Sequence, residues 1–389
     1  MKKSTNKTKH KSSQWIVFPL FILIGALSGY LGGTYIGKIF KESISLSQKI
    51  SLFIILFLIV YISIIIQIIV HEFGHLICGL ISGYDFASFR IGSFMLVKND
   101  EKIKFKRFSL MGTGGQCLMT PPEPYNDDIP FLLYNIGGSL FNVLLSIISI
   151  ILYFVTRHIE FLSLFFLVLA IIGIAFALIN GIPMHLGPID NDGYNAFNLR
   201  KNGSAKRCFW IQLKIIGLIN NGIRLKDMPD DLFIIPNHEE MKNALCVSVG
   251  VLACNRAIDA MNFKTAQEIG YNLLNNSGGL LDVHRYMITS EMIFCELISE
   301  NNKEKIENMF TKNFNKFLKT SAKNPSIIRM LYAYELLLKK DEQAAEKHLK
   351  SFEKVSKSYP YICEIEGERE LINYIKNLSQ LNINKESNI

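Results

Sequence analysis

Charge is missing from four long stretches of this 389-residue chain, Gln14–Gly37, Ile50–Val70, Ile129–Thr156 and Phe161–Met184, and no Cys-x-x-Cys pair occurs anywhere. Each absence excludes something. Seven scattered cysteines, odd in number and without close pairs, argue against a secreted disulfide scaffold and a cysteine zinc knuckle. Only 20% of residues are charged against 49% hydrophobic, which is not the make-up of an ordinary soluble protein. Several charged residues within the apolar stretches, which a transporter or immunity protein would need, are lacking too. The net charge of +8 collects in short flanks of the apolar runs, a mark of membrane topology rather than of nucleic-acid binding.

What is present begins with those four stretches. Each exceeds or matches the roughly 20 residues that span a bilayer. The first follows a lysine-rich start and contains Ala26-Leu27-Ser28, which resembles a signal-peptide cleavage site. Its apolar run is too long for such a peptide, so an uncleaved span is expected. Gly25, Gly29, Gly33 and Gly37 fall on one stripe of that helix, where small residues permit close packing in lipid. Five lysines in residues 1–13 and six basic residues in 84–128 outnumber those of the alternate loops. The positive-inside rule therefore puts both termini and the 84–128 segment in the cytoplasm of a multi-pass cell-membrane protein.

The 84–128 segment alternates at Lys102-Ile103-Lys104-Phe105-Lys106 and is punctuated by glycines, which predicts one or two short hairpins before the turn at Pro121-Pro122-Glu123-Pro124. An exposed strand edge there could pair with an unwound substrate, or the segment is a plain connector. From about Arg207 the pattern is that of soluble helices. Glu239–Asn262 with Phe263–Asn275, Leu280–Ser299 with Asn302–Thr320, and Pro325–Lys340 with Glu342–Ser356 read as three pairs about 40 residues apart. Such spacing is tetratricopeptide-like, although an irregular bundle fits too, and arrays of this kind bind partners.

The chemistry concentrates in His71-Glu72-Phe73-Gly74-His75. Histidines at i and i+4 share a helix face and can hold one metal ion, and the intervening glutamate can take a proton from metal-bound water. The motif continues directly from an apolar stretch, and ionisable groups near membrane depth are costly unless they work. A catalytic zinc needs a third protein ligand. Candidates lie beyond Pro183, in His185-Leu186-Gly187-Pro188-Ile189-Asp190-Asn191-Asp192-Gly193, where the proline ends the helix. By topology both motifs lie on the cytoplasmic side. His185 is a weaker candidate, and His158 and His238 read as solvated loop and helix-start residues.

These motifs resemble those of the site-2 protease family of intramembrane zinc metalloproteases. His71-Glu72-Phe73-Gly74-His75 is similar to the zinc-binding motif, Gly137-Gly138-Ser139-Leu140-Phe141-Asn142 to a small-residue stretch ending in asparagine, and Asn180-x-x-Pro183 with Asp192-Gly193 to the Asn-x-x-Pro…Asp-Gly signature. The resemblance covers about residues 50–195. The chain departs from the family in carrying a few extra residues around His185–Asn191, so Asp190 competes with Asp192 as third ligand, Asp192 being favoured. No segment suggests an inserted PDZ domain.

The residue patterns predict an α-helical polytopic membrane protein with four transmembrane helices, a small β-hairpin insertion and a C-terminal soluble all-α, tetratricopeptide-like domain, and the resemblance adds a zinc protease core. Its expected divisions are an N-terminal segment and first span (1–49), a zinc metalloprotease core (50–200) and a cytoplasmic helical domain (201–389). His71, His75 and Asp192 are expected to hold Zn2+, with Glu72 as general base. Asn142 and Asn180 are expected either to hydrogen-bond an unwound substrate backbone or to pack between helices. Expected partners are a membrane-anchored protein or peptide substrate, the lipid bilayer and a cytoplasmic protein for the tail, with no nucleic acid. The competing reading is a catalytically silent membrane adaptor whose tail recruits that partner.

Overall fold

The computed structural model describes residues 45–99, 102–108, 114–126, 128–186 and 189–386, with Gly25, Ala26, Gly29, Gly33 and Gly37. The predicted first span, Gln14–Gly37, lies otherwise outside the described residues. Two compact units emerge. One holds the described residues up to Gly83 together with Pro130–Lys201; the other holds Tyr84–Ile129 and the described residues from Asn202 onward.

Three helices of the first unit are long and apolar enough to cross a membrane. Helix α1 (Leu46–Ile81) starts at Ser45, whose hydroxyl caps the Gln48 amide while the Gln48 side chain accepts from the Ser45 amide. This reciprocal cap satisfies two otherwise orphaned donors. The helix runs unbroken for 36 residues, past the predicted end at Val70 and through the His71–His75 motif. It stops at Gly83, whose φ of +81° suits glycine. Helices α2 (Phe131–Val155) and α3 (Glu160–Gly181) follow the other two predicted spans within a few residues.

The three helices share a pattern that is inverted relative to a soluble bundle. On α1 the buried positions Ile59, Ser63, Gln67, His71, His75 and Gly79 recur every fourth residue, while Phe53, Phe57 and Tyr61 are exposed. On α2 the buried stripe includes Gly138, Asn142, Ser146 and Ser149, and Ile147, Ile151 and Phe154 face outward. Small and polar residues thus meet inside and large apolar residues point to where lipid would lie, as expected where lipid replaces water as solvent. Gly138 lies against the His71 ring: a Cβ there would come within 2.5 Å of its Cε1.

Beyond α3 the chain turns back through a two-residue hairpin, β5 (His185–Leu186) and β6 (Ile189–Asp190), into helix α4 (Asp192–Lys201).

In the second unit, β1 (Asp85–Ile91), β2 (Phe94–Asn99), β3 (Lys102–Arg107) and β4 (Gly115–Thr120) form an antiparallel sheet in the order β3-β2-β1-β4. It is more regular than the one or two hairpins predicted, because β4 returns to pair with β1 across a bulge between Phe86 and Ser88. Helix α5 (Gly203–Asn220) joins it. Trp210 Nε1 donates to the Pro122 carbonyl at 2.8 Å, Lys206 pairs with Asp128 at 2.6 Å, and Lys214 pairs with Glu123. Residues 84–129 therefore fold with the tail.

The rest of the tail is helical: α6 (Ala244–Asp259), α7 (Phe263–Asn276), α8 (Asp282–Ile298), α9 (Lys303–Met309), α10 (Lys312–Thr320), α11 (Pro325–Ala333), α12 (Glu342–Ser356) and α13 (Ile362–Glu386). The expected second member of the middle pair, Asn302–Thr320, is split, because the helix ends at Phe310 and Thr311 caps a new one. Pro325–Lys340 ends in a π turn at Tyr334–Leu338. Helices α5 and α13 belong to the same core as the predicted pairs, through Ile211, Ile215 and Ile375.

Candidate metal centre

His71 and His75 lie one turn apart on α1 and are buried, as is Glu72 between them. Each histidine is oriented through its Nδ1. That of His71 donates to Asn142 Oδ1 at 2.7 Å, and that of His75 donates to the Tyr134 carbonyl at 2.7 Å. With both acceptors on the Nδ1 side, both Nε2 atoms turn inward as lone pairs in the neutral rings.

Asn142 is itself fixed. Its Nδ2 donates to the Gln67 carbonyl at 2.9 Å and to Gln67 Oε1 at 2.7 Å, and Gln67 Nε2 donates to the Leu169 carbonyl at 2.9 Å. A polar relay therefore crosses all three apolar helices and ends on the Nδ1 of one ligating imidazole. Gln67 and Asn142 are both fully buried. Sequence reading passed over Gln67, although a glutamine one turn before His71 on an apolar helix was a visible signal.

Asp192 opens α4. Its Oδ2 lies 3.2 Å from His71 Nε2 and 3.3 Å from His75 Nε2, and the two Nε2 atoms are 3.2 Å apart. Its position is set by Asn191, a buried residue that the sequence reading did not single out. Asn191 Oδ1 accepts from the amides of Met184 and Tyr194 at 3.0 and 2.9 Å, and its Nδ2 donates to the carbonyls of Ile179 and Ile182 at 2.6 and 2.5 Å. One side chain thus ties the end of α3 to the start of α4. Gly193 completes the junction, because a Cβ there would clash with the Gly181 carbonyl. The close approach at Gly193 is made to the end of α3.

Three acceptors about 3.2–3.3 Å apart repel one another unless a cation lies between them. Protons on both imidazoles would satisfy Asp192 but leave two N–H groups facing each other. A metal ion satisfies all three. Donors about 2.0–2.1 Å from a tetrahedral ion lie about 3.3 Å from one another, so the triangle fits. Among the described residues, these are the one group of three His, Cys, Asp or Glu side chains whose ligand atoms lie close enough, within 4.8 Å, to hold a metal. Ligation needs the Asp192 carboxyl in its ionised form.

Asn180 lies on α3, where its Nδ2 donates to the Phe176 carbonyl at 3.0 Å. The backbone of Asp190 pairs with that of His185 in the hairpin.

Three apolar helices that bring two histidines and a carboxylate together, with a glutamate between the histidines, define a membrane protein with a metallopeptidase-type centre. The chain belongs to peptidase family M50, the site-2 protease family, whose family model matches residues 57–354. Metalloproteases of this family are zinc-dependent. No curated protein and no solved structure matches the chain.

Proposed function

We propose that the chain is a zinc endopeptidase that hydrolyses a peptide bond in or next to a transmembrane segment of a membrane-anchored protein or peptide. The observation that carries this reading is the triangle of Nε2, Nε2 and Oδ2 acceptors with sides of 3.2–3.3 Å, beside a buried glutamate. Zinc held there by His71, His75 and Asp192 supplies, when bound, a water of pKa near about 7 and Lewis-acid polarisation of the scissile carbonyl.

The chain's own residues do the rest. Glu72 takes a proton from the attacking water and passes it to the leaving amine nitrogen. Asn142, whose amide is engaged by His71 and Gln67, holds the ligating tautomer and is not available to the substrate. Among the described residues Asn180 bonds only through its Nδ2, to the helix backbone, so its Oδ1 serves an unwound substrate strand, whose peptide groups need partners at membrane depth.

Catalysis is assigned to residues 50–200. Residues 1–49 add a cytoplasmic start and a fourth span, and 201–389 form a cytoplasmic helical domain. Both termini face the cytoplasm of a multi-pass cell-membrane protein. The α6–α7 and α11–α12 pairs support a tetratricopeptide-like array that recruits a cytoplasmic protein.

The test compares wild type with Glu72→Gln for zinc content and for cleavage of single-span reporter proteins reconstituted with it. The variant is expected to keep its zinc and lose cleavage, since the base is not a ligand. Equal turnover in both would sink the assignment.

A further inference from the structure

The tail encloses a cavity of about 250 Å³ lined from α5, α6, α8, α11 and α13. Arg329, on α11, lines it and is fully buried. Its Nε donates to Glu368 Oε2 at 2.6 Å, and its Nη2 donates to the two oxygens of Glu291 at 2.8 and 2.7 Å. The Phe294 ring covers one face of the guanidinium, 4.0 Å from Cζ to the ring centroid. Nη1 alone has no hydrogen-bond partner, and it is the corner of the fork left for the open space. In the same lining Glu364 accepts from the Tyr359 hydroxyl through Oε2 at 2.9 Å, and its Oε1 bonds to nothing among the described residues.

A buried donor without an acceptor is rare in folded proteins and carries its full desolvation penalty. One water takes about 30 Å³ in the liquid, a small part of this space. The missing acceptor is not an anion. An anion would enter among Asp259, Glu291, Glu364 and Glu368, where the only cations in the lining, Arg224 and Arg329, are already paired. Nor is it a cation, which has no lone pair to offer Nη1. An uncharged carbonyl oxygen meets both conditions. Glu364 narrows the choice further, because its free oxygen accepts an N–H. A carboxamide presents that combination in one plane, an acceptor oxygen beside two donors. The space lies below the ~300–1,000 Å³ of pockets for drug-sized ligands and suits one side chain or a small amide.

We propose that this cavity binds an uncharged carboxamide on a short alkyl stem, either a small free amide or the side chain of a glutamine or asparagine in a peptide. The carbonyl oxygen accepts from Arg329 Nη1 and the amide nitrogen donates to Glu364. The stem lies along Ile219, Met287 and Leu371, which line the same cavity.

The full-length protein in detergent micelles is titrated calorimetrically with butyramide, with acetyl-Gly-Gln-Gly-methylamide, and with the same peptide carrying glutamate or methionine for glutamine. At least one of the two carboxamide probes is expected to bind saturably, one per chain, and both control peptides at least tenfold more weakly than that probe. Tighter binding of butyramide identifies a free amide as the source; tighter binding of the glutamine peptide identifies a peptide side chain. Arg329→Lys keeps a charge beside Glu291 and Glu368 but removes the fork. It is expected to weaken the carboxamide at least tenfold while the zinc content stays unchanged. If that variant does not fold, the comparison of the carboxamides with the glutamate and methionine peptides on wild type decides. No heat with any probe, a control peptide that binds as tightly as the carboxamides, or a folded Arg329→Lys that binds like wild type each overturns the proposal and leaves the Nη1 donor to water.

Discussion

Asn142 Oδ1 accepts the Nδ1 proton of His71 at 2.7 Å, and the same asparagine is held by Gln67 from the preceding turn of α1. The helix that carries the ligand thus reaches across to α2 and back to itself, so the tautomer of His71 is fixed before any metal arrives. Partners of this kind typically set metal affinity or activity by about 10–100-fold. Asn142→Ala is expected to fall within that range, and Gln67→Leu to fall less, since Asn142 keeps the Gln67 carbonyl as a partner. Zinc affinity by competition with a chromophoric chelator measures both. An Asn142→Ala protein with wild-type affinity would show that the relay is packing alone.

The junction of α3 and α4 makes a second prediction. A methyl group at Gly193 has no room beside the Gly181 carbonyl, and overpacking of this sort costs about 1–3 kcal/mol. Gly193→Ala is expected to lower the melting temperature and to displace Asp192, so zinc occupancy falls as well. Asn191→Ala acts at the same junction through four lost hydrogen bonds and is expected to lose metal too, although it touches no donor atom. Metal analysis alongside thermal melts separates these effects from general unfolding, because Gly25→Ala, with nothing within 4 Å, should change neither.

How much of this was legible follows from the physics of each signal. The His71-Glu72-x-x-His75 pattern and three of the four expected spans were readable because helical period and bilayer length are local properties. Asp192 was narrowed to one of two aspartates, but its placement depends on Asn191 bridging Ile179, Ile182, Met184 and Tyr194, a long-range bonding pattern that spacing does not reveal. Asn142 was marked for its place in a motif, with substrate bonding and interhelical packing both open, because its partner Gln67 lies 75 positions away. The sheet of residues 84–129 was read as hairpins because alternation shows strands but not that β4 returns to β1. Its grouping with the tail rests on Trp210, Lys206 and Lys214 reaching Pro122, Asp128 and Glu123, which composition cannot show.

That grouping changes where the tail can be cut. A chain ending at Lys201 removes α5 and with it the partners of Pro122, Asp128 and Glu123. Such a truncation is expected to retain zinc, since all three donors precede the cut, and to become protease-sensitive within residues 84–129. Limited proteolysis with mass spectrometry checks the second point and metal analysis the first. A truncation without zinc would make the tail part of the metal centre's support.

Stability should also respond to pH through the tail cavity. Burial pushes Glu364 and Glu368 up to about 7 in the folded protein, against about 4.3 in an unfolded chain. Between those values the folded state holds protons that the unfolded state has lost. The stabilisation is therefore complete below about pH 4.3 and declines as pH rises through about 7, by at most about 1.4 kcal/mol per unit for each group. Arg329, Glu291, Asp259 and Tyr359 face the same space and temper the slope. Melting temperatures are expected to drop between pH 5.5 and 8, and Glu364→Gln, which cannot ionise, should flatten the profile. An unchanged slope in that variant would place the titration elsewhere.

The last prediction separates the two aspartates. Asp192 Oδ2 stands 3.2 and 3.3 Å from the two imidazole nitrogens, the separations that a shared tetrahedral ion about 2.0–2.1 Å from each donor requires. Asp190 belongs to β6, where its backbone pairs with His185. Removing a ligand strips the metal outright, whereas loss of a neighbouring turn residue leaves the donor triangle standing. Asp192→Ala is therefore expected to purify with little zinc and no activity, and Asp190→Ala to keep most of its metal. Asp192→Asn adds a sharper point: it preserves shape and removes the charge, so a deficit as deep as alanine's would show that the charge holds the ion. If Asp190→Ala loses its zinc while Asp192→Ala retains it, the extra residues of the hairpin have shifted the register and Asp190 is the third ligand.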